Sequence, residues 1–350
     1  MGKGGKFVRI EGAKFDIILN ILIGIRRSLS TVVRLPGQQL TDQQYRKKMS
    51  VKSDWVDQTS SQSAKGRVSQ FKFVDYAPMV FAKLRERFRI SESDYLSSLG
   101  PEQILKSFLT NNFEMLYELC SSGQSGSLFY YTKNKKYMLK TIPEREFDKF
   151  RSVLKDYFLH MKDNPDSLIC RFFGLHEVRF TDQKNAKQTL FLVIMNNVFK
   201  DFTVTEFFDL KGSTQGRNLL QPDEPIEVRE KRYGKTAMKD LDFLRFRKDW
   251  IVLEEQDPEV LSLLGKTSTF EQVVRRDTAF FAKSGLIDYS LLLGKINTRD
   301  SLDRQTISHL KDEIEMDSSL AHGVYFTQKT DSKPQEAYVI AIIDPLTGFT

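Results

Sequence analysis

Three aspartates stand where their carboxylates could do chemistry. Asp209 lies in FFDLKGSTQGR and Asp288 in GLIDYSLLLGK, two stretches that are otherwise apolar or rich in small residues. Asp344 directly follows the apolar run AYVIAII. A carboxylate is costly to bury without a partner. We therefore expect each aspartate either to cap a turn or to hold a charged group.

Asp288 and Asp344 could act together on a metal ion. Each adjoins a strand-like segment. Mg²⁺ takes oxygen ligands, chiefly carboxylates and phosphates, and the acceptor hydroxyl in phosphoryl transfer needs a base nearby. Taken singly, each aspartate is more simply a cap or turn residue. Taken with a phosphate-binding lysine, the two favour a metal and nucleotide site.

Lys140 has the setting of such a lysine. The stretch SSGQSGS, residues 121–127, precedes a predicted hairpin whose second strand carries Lys140. A glycine-containing turn lets backbone N–H groups approach a phosphate, and a neighbouring lysine neutralises it. Glu146, six residues later, could hold the ammonium group in place. An ordinary hairpin turn is the alternative interpretation of the stretch. Its candidate phosphate-binding residues are Gly123, Ser125 and Gly126.

Composition narrows the class of protein. The 350 residues carry a net charge of +7, which favours a polyanionic partner such as a nucleotide, a nucleic acid or an acidic membrane face. There are two cysteines and four histidines, none at metal-ligand spacing. A zinc site and a disulfide framework are therefore not expected, and a cytoplasmic compartment is the default.

The chain is predicted to have three parts: an arm over 1–70, an N-terminal lobe over 71–199 and a C-terminal lobe over 200–350. The longest apolar run, residues 15–25, is too short to span a bilayer. With its arginine-rich flank it could lie in a membrane interface, pack on the domain or form a dimer contact. We favour packing.

Hydrophobic periodicity predicts the elements that position the candidate residues. The predicted helices span residues 76–88 and 144–161, with a third, TFEQVVRRDTAFFAKSG, that ends at Gly285. The predicted strands comprise a hairpin turning at 133–135, a buried strand within 189–199, a strand around Asp288 and a strand that delivers Asp344. The polar residues from about 298 to 336 are predicted to form a loop or a weakly ordered insertion.

Seven of these segments occur together in one known family. FKFVDYAPMVFAKLRERFRI, FFGLHEVRF, VIMNNVF, DLKGSTQGR, MKDLDF, LIDYSLLLG and AIIDPLT follow the order found in the phosphatidylinositol phosphate kinases. DLKGST with DYSLL and IID is a highly specific combination. The chain thus resembles that family from about residue 18 to its last residues.

The resemblance implies an α+β fold of two lobes, with antiparallel sheets and helices, that is distantly like protein kinases and binds ATP between the lobes. It implies that Lys140 contacts the ATP phosphates and that Glu146 is its helix partner. Asn197 and Val198 match the linker that meets the adenine.

The resemblance also assigns the residues of the reaction. Asp288 matches the catalytic aspartate and a magnesium ligand, and Asp344 matches the magnesium-binding aspartate. Asp209 and Lys211 match positions near the transferring phosphate and the lipid head group, where Lys211 could stabilise developing charge. Arg217 is expected to contact a substrate phosphate.

The implied activity is an ATP- and Mg²⁺-dependent lipid kinase. The segments VIMNN, NPDSLICRFFG and STQGR resemble the phosphatidylinositol 4-phosphate 5-kinase branch more than the 5-phosphate 4-kinase branch. The family continues past IID with a basic loop that selects the lipid, whereas this sequence stops at Thr350. A kinase of soluble inositol phosphates is therefore the alternative, and a membrane-binding scaffold is a third interpretation.

The expected partner is a phosphoinositide in an anionic membrane, or a soluble inositol phosphate, and not nucleic acid. A homodimer is compatible with the apolar arm. We expect peripheral attachment to the inner face of membranes through Lys135, Lys136 and the arm, since each basic residue near an anionic surface contributes about 1 kcal/mol.

Overall fold

A computed structural model of the chain describes sixteen stretches that together form two compact units. The described residues are 13–32, 39–52, 69–102, 117–120, 128–132, 134–181, 186–199, 202, 204–220, 225, 227, 236–246, 268–296, 312, 322–326 and 336–348. The first unit comprises Met1–Lys162 and Arg171–Asn197, and the second comprises Asp163–Cys170 and Val198–Thr350. None of the helices in the described ranges has the length and hydrophobicity that spanning a bilayer requires.

The first unit is built on a seven-stranded antiparallel sheet with the order β1-β2-β6-β7-β5-β4-β3. Strand β6 is buried along most of its length, and its neighbour β7 carries a long apolar run, as expected of strands covered on both faces. The strands are β1 Lys48–Lys52, β2 Ser69–Tyr76, β3 Tyr117–Cys120, β4 Leu128–Tyr131, β5 Tyr137–Ile142, β6 Phe172–Thr181 and β7 Lys187–Asn196. This arrangement confirms the predicted hairpin, now β4–β5, and the predicted buried strand, now β7.

Among the described residues, five helices accompany this sheet, and the longest confirms a prediction. They are α1 Ala13–Thr31, α2 Asp42–Arg46, α3 Pro78–Arg87, α4 Glu92–Leu99 and α5 Glu144–Asp163. The apolar stripe of α5 buries Phe147, Phe150 and Leu154. The ring centroids of Phe150 and of Phe172 on β6 are 4.7 Å apart. The predicted helix over 76–88 is also present, as α3.

Helix α1 packs on the first unit, as favoured from the sequence. Its apolar side is buried at Ile21, Leu22, Ile25 and Leu29. A buried polar contact accompanies this packing, because Ser28 donates a hydrogen bond to Asp75 of β2. The other carboxylate oxygen of Asp75 lies 3.1 Å from Nδ1 of His176.

The second unit contains a four-stranded antiparallel sheet, β11-β12-β10-β8, and a two-stranded pair, β13-β9. The elements are β8 Val204–Leu210, α6 Asp240–Phe246, α7 Phe270–Ser284, β9 Leu286–Ile287, β10 Ser290–Ile296, β11 Val324–Phe326, β12 Ala337–Ile343 and β13 Thr347–Gly348. A capping box of Thr269 and Gln272 begins α7, and Gly285, at φ 59°, ends it as predicted. The mixture of helices and antiparallel sheets confirms the predicted α+β class.

Two sequence interpretations need correction. Residues 298–336 were expected to be a loop, but β11 forms a buried edge of the sheet against β12. A three-residue apolar segment among polar neighbours gives almost no periodic signal, which is why it was missed. The strand expected around Asp288 is interrupted there, between β9 and β10. Most of the polar stretch before residue 69 lies outside the described residues.

A glycine in α1 provides a test of this packing. A Cβ on Gly24 would overlap the Cβ, Cγ and Cδ2 atoms of Phe73. In an open helix, Gly→Ala is stabilising by up to about 1 kcal/mol. We expect the opposite sign for Gly24→Ala, a loss of about 1–3 kcal/mol measured by urea unfolding, because the buried core cannot take the extra methyl group. Ser30→Ala on the exposed side of α1 is the control, and a Gly24→Ala protein more stable than the wild type would contradict the packing.

Candidate functional site

The strand register of the second unit brings Asp288 and Asp344 into facing turns. Ile287 of β9 pairs with Thr347 of β13, and Ser290 of β10 pairs with Ile343 of β12. The two segments between these pairings, 288–289 and 344–346, therefore lie opposite each other. The predicted pair of carboxylates is thus carried on adjoining turns of one unit.

Both aspartates hold a left-handed backbone conformation. The φ angle is 61° at Asp288 and 56° at Asp344. This region is unfavourable for residues with a side chain, although Asp tolerates it better than most. Such conformations persist when the surrounding structure fixes them, and they cluster at functional sites. Here the β9–β13 and β10–β12 pairings on either side supply the constraint.

Of the predicted site residues, Lys211 contacts Asp288. It follows β8, and its Nζ donates a hydrogen bond to Oδ1 of Asp288. The Asp288 side chain is 57% exposed and that of Lys211 is 29% exposed. An ion pair this exposed contributes little to stability. Its accessibility instead leaves both groups able to contact a charged ligand.

The loop that carries Lys211 is held by a buried aspartate, Asp240. Its Oδ1 accepts backbone N–H groups from Lys211, at 2.9 Å, and Gly212, at 2.8 Å. Its Oδ2 accepts from Nε of Arg217 at 2.7 Å. Burial alone would raise the pKa of Asp240, but the hydrogen bonds from Arg217 and the backbone outweigh it and lower the pKa. One carboxylate therefore fixes both ends of the 211–217 loop.

Asp209 lies within the same network. Lys239 donates from Nζ to its Oδ2 at 2.6 Å, and Nη2 of Arg217 lies 3.5 Å from its Oδ1. Arg217 also donates to the backbone oxygen of Asp209. Burial would raise the pKa of Asp209, but hydrogen bonds from Lys239 and Ser290 lower it. Asp209 is thus a charged carboxylate between two cations, and its predicted place near the transferring phosphate stays a prediction.

A second aspartate of α6 completes the support. The buried carboxylate of Asp242 accepts backbone N–H groups from Leu219, Leu220 and Lys239 at 2.8–3.0 Å. Sequence reasoning did not identify Lys239 or Asp240 as site residues. The signal was present in MKDLDF, where two aspartates two residues apart begin a short helix and so direct acceptors at nearby N–H groups.

The predicted phosphate-binding residues belong to the first unit. Lys140 lies on β5, between Phe129 of β4 and Val193 of β7, and its Nζ is 5.3 Å from the centroid of the Phe129 ring. Glu146 lies in the first turn of α5 and is half-buried. Gly123, Ser125 and Gly126 lie outside the described residues.

The predicted adenine-binding linker coincides with the division of the chain into units. Asn197 is the last residue of the first unit and Val198 the next residue of the second. The backbone N–H of Asn197 donates to the oxygen of Lys136 at 3.1 Å, and its Nδ2 donates to the oxygen of Lys135 at 2.9 Å. Val198 packs against buried apolar residues of the second unit, among them Val339.

The two carboxylates of the facing turns suit a magnesium site that is completed by waters and phosphates. They do not suit a metal site built from protein ligands alone. Among the described residues, no group of three or more His, Cys, Asp or Glu side chains is placed to hold a metal. Mg²⁺ commonly takes only one or two carboxylates and completes its shell with waters and substrate phosphates. Asp288 and Asp344 match that pattern.

Most of the chain is similar to known proteins. Residues 110–350 match the family described as Phosphatidylinositol-4-phosphate 5-Kinase. A phosphatidylinositol 4-phosphate 5-kinase of Plasmodium falciparum is 31% identical over 284 residues, which is 80% of this chain and 15% of that protein. The kinase its3 of Schizosaccharomyces pombe is 33% identical over 276 residues, 79% of this chain and 33% of that protein. The chain therefore spans about a third or less of these relatives.

Asp240→Asn tests the support of the 211–217 loop. The substitution removes the negative charge that holds Arg217. It also replaces one of the two acceptor oxygens of residue 240 with an NH₂ group. We expect hydrogen exchange at the Lys211 and Gly212 amides to accelerate at least about tenfold, since a hydrogen bond to a charged group contributes about 1.5–3 kcal/mol. Asp42→Asn removes an exposed carboxylate, paired with Lys155, and is the matched control. Unchanged exchange at both amides would show that the loop is held by other contacts.

The lowered pKa values of Asp209 and Asp240 give a dependence of stability on pH. A carboxyl group with a lowered folded-state pKa adds stability above its unfolded pKa of about 3.9, and this stability is lost as the pH falls through the folded-state pKa. Wild-type unfolding free energy is therefore expected to fall more steeply between about pH 5 and pH 2 than that of Asp240→Asn. Equal slopes in urea unfolding would contradict the assignment.

Proposed function

Because the chain belongs to the phosphatidylinositol-4-phosphate 5-kinase family, we propose that it transfers the γ-phosphoryl group of ATP to phosphatidylinositol 4-phosphate. The product is the 4,5-bisphosphate. One structural observation carries the proposal: Lys211 is bonded to Asp288 beside the turn that carries Asp344. An ammonium group and two carboxylates in one unit are the groups that phosphoryl transfer requires.

Asp288 receives the proton of the acceptor hydroxyl. The hydroxyl oxygen forms a bond to the γ-phosphorus while the bond from that phosphorus to the β–γ bridging oxygen breaks, and ADP leaves. Lys211 neutralises negative charge that develops on the phosphoryl oxygens and orients the Asp288 carboxylate. Their exposure is consistent with direct contact with substrate.

Asp288 and Asp344 would hold a magnesium ion, which when bound neutralises charge on the ATP phosphates. Lys140 neutralises a further phosphate, with Glu146 as its partner, and the backbone at Asn197 and Val198 contacts the adenine. The backbone N–H groups of the glycine-serine stretch contribute to phosphate binding through Gly123, Ser125 and Gly126.

Asp209 and Arg217 hold the loop between them in place, and this loop faces the inositol head group of the substrate. The guanidinium of Arg217 is already bound by Asp240 and by the backbone of Asp209, so it fixes the loop and adds positive potential for the substrate phosphate. Asp209 holds Lys239, which adds a second cation. The substrate places the chain at the inner face of an anionic membrane, where its net charge of +7 is favourable. Self-association stays a prediction from the apolar arm.

A substrate panel tests the proposal. The purified chain receives ATP and Mg²⁺ with vesicles bearing phosphatidylinositol 4-phosphate, vesicles bearing the 5-phosphate, or soluble inositol 1,4-bisphosphate. We expect the highest turnover on the 4-phosphate vesicles. Asp288→Asn is expected to lower that turnover by about 10²–10⁴-fold because it removes the base, whereas Asp42→Asn leaves it unchanged.

Two outcomes would overturn the proposal. Transfer to the soluble inositol phosphate alone would replace the lipid kinase with the soluble alternative. Vesicle binding with no transfer to any substrate would favour the membrane-binding scaffold.

A further inference from the structure

In helix α6 the usual placement of polar and apolar side chains is partly reversed. A surface helix normally buries its apolar side and exposes its charged side. In α6 the aspartates Asp240 and Asp242 are buried, while Leu241 is 37% exposed and Leu244 is 50% exposed. Arg245 is also exposed. The outward side of this helix is therefore apolar and cationic.

The exposed apolar side chains gather around the candidate site. Among the described residues, four large hydrophobic side chains are exposed: Leu159, Leu241, Leu244 and Ile287. Only Leu159 belongs to the first unit. Ile287, 40% exposed, directly precedes Asp288. Single exposed apolar residues need no explanation. Three of the four, however, belong to the segments around the candidate site, and this grouping requires one.

A chain of contacts connects these residues. Asp240, at the start of α6, accepts the backbone N–H of Lys211. Lys211 in turn bonds to Asp288, the neighbour of Ile287. The backbone N–H of Leu241 donates to the oxygen of Arg217. The leucines of α6 and Ile287 therefore flank the same loop, which carries Lys211 and Arg217.

The chemistry of this surface fits an anionic bilayer. Exposed apolar side chains beside basic residues are typical of segments that lie in a membrane interface. Basic residues near such a surface are attracted by the negative lipid head groups. A stable protein–protein interface buries about 800 Å² on each partner, far more than three side chains supply. The small apolar area is sufficient for insertion between head groups only.

We propose that Leu241, Leu244, Arg245 and Ile287 form a docking surface for an anionic bilayer. The apolar side chains enter the boundary between head groups and acyl chains, and Arg245 contacts lipid phosphates. Docking by this surface turns Lys211 and Asp288 towards the inositol head group. That last consequence rests on the proposed function, whereas the docking itself requires no turnover.

Vesicle sedimentation of the full chain without ATP tests the docking surface. The vesicles contain phosphatidylcholine with phosphatidylserine and phosphatidylinositol 4-phosphate. We expect the double variant Leu241→Gln, Leu244→Gln to bind about tenfold more weakly than the wild type, since burial of two leucine side chains contributes more than the 1.4 kcal/mol that tenfold represents. Leu159→Gln, an exposed leucine of α5, is the matched control and should bind as the wild type does.

The outcomes separate docking from catalysis. Unchanged vesicle binding by the double variant, or no vesicle binding by the wild type, overturns the docking surface. If the double variant unfolds at a lower temperature than the wild type, Leu241→Ala with Leu244→Ala, which keeps the helix propensity, decides the question. Failure of the proposed function is read separately, as no phosphorylation of water-soluble short-chain phosphatidylinositol 4-phosphate by the wild type.

Discussion

The buried carboxylate of Asp240 is the constraint on which the candidate site depends. A carboxylate removed from water must be saturated with hydrogen bonds, and here two backbone N–H groups and a guanidinium provide them. These donors come from both ends of the 211–217 loop, so satisfying one buried charge also fixes the loop. With the loop fixed in this way, the side chain of Lys211 reaches Asp288.

Buried and exposed charges have different tasks in this unit. In the ion pairs of Asp240 with Arg217 and of Asp209 with Lys239, the carboxylates are largely shielded from solvent, and these pairs hold the scaffold. The pair of Lys211 with Asp288 is accessible and adds little to stability. Preorganised electrostatic stabilisation requires charged groups that a rigid frame holds in fixed positions, and this frame holds Lys211 next to Asp288. The left-handed turns at Asp288 and Asp344 fit the same account, because the flanking strand pairs hold them in place.

The sequence predicted the parts of the fold that depend on local pattern. The stripe of Phe147, Phe150 and Leu154 specifies α5, and Gly285 specifies the end of α7, because both signals lie within one helix. Asp288 and Asp344 were singled out in the sequence because each adjoins a strand-like segment. Asp240 and Lys239 were missed because their partners come from β8 and the loop after it, more than 20 residues earlier, which only tertiary structure reveals. The three-residue β11 was missed because it is defined by its pairing with β12 rather than by its own length.

The coupling between Lys211 and Asp288 is the most direct measure of this account. A double-mutant cycle compares kcat/KM for phosphatidylinositol 4-phosphate in the wild type, Lys211→Met, Asp288→Asn and the double variant. If the two side chains act as one unit, the double variant loses little more than the worse single variant, with a coupling energy of about 1 kcal/mol or more. Losses that add to within about 0.5 kcal/mol would show that the two residues act independently.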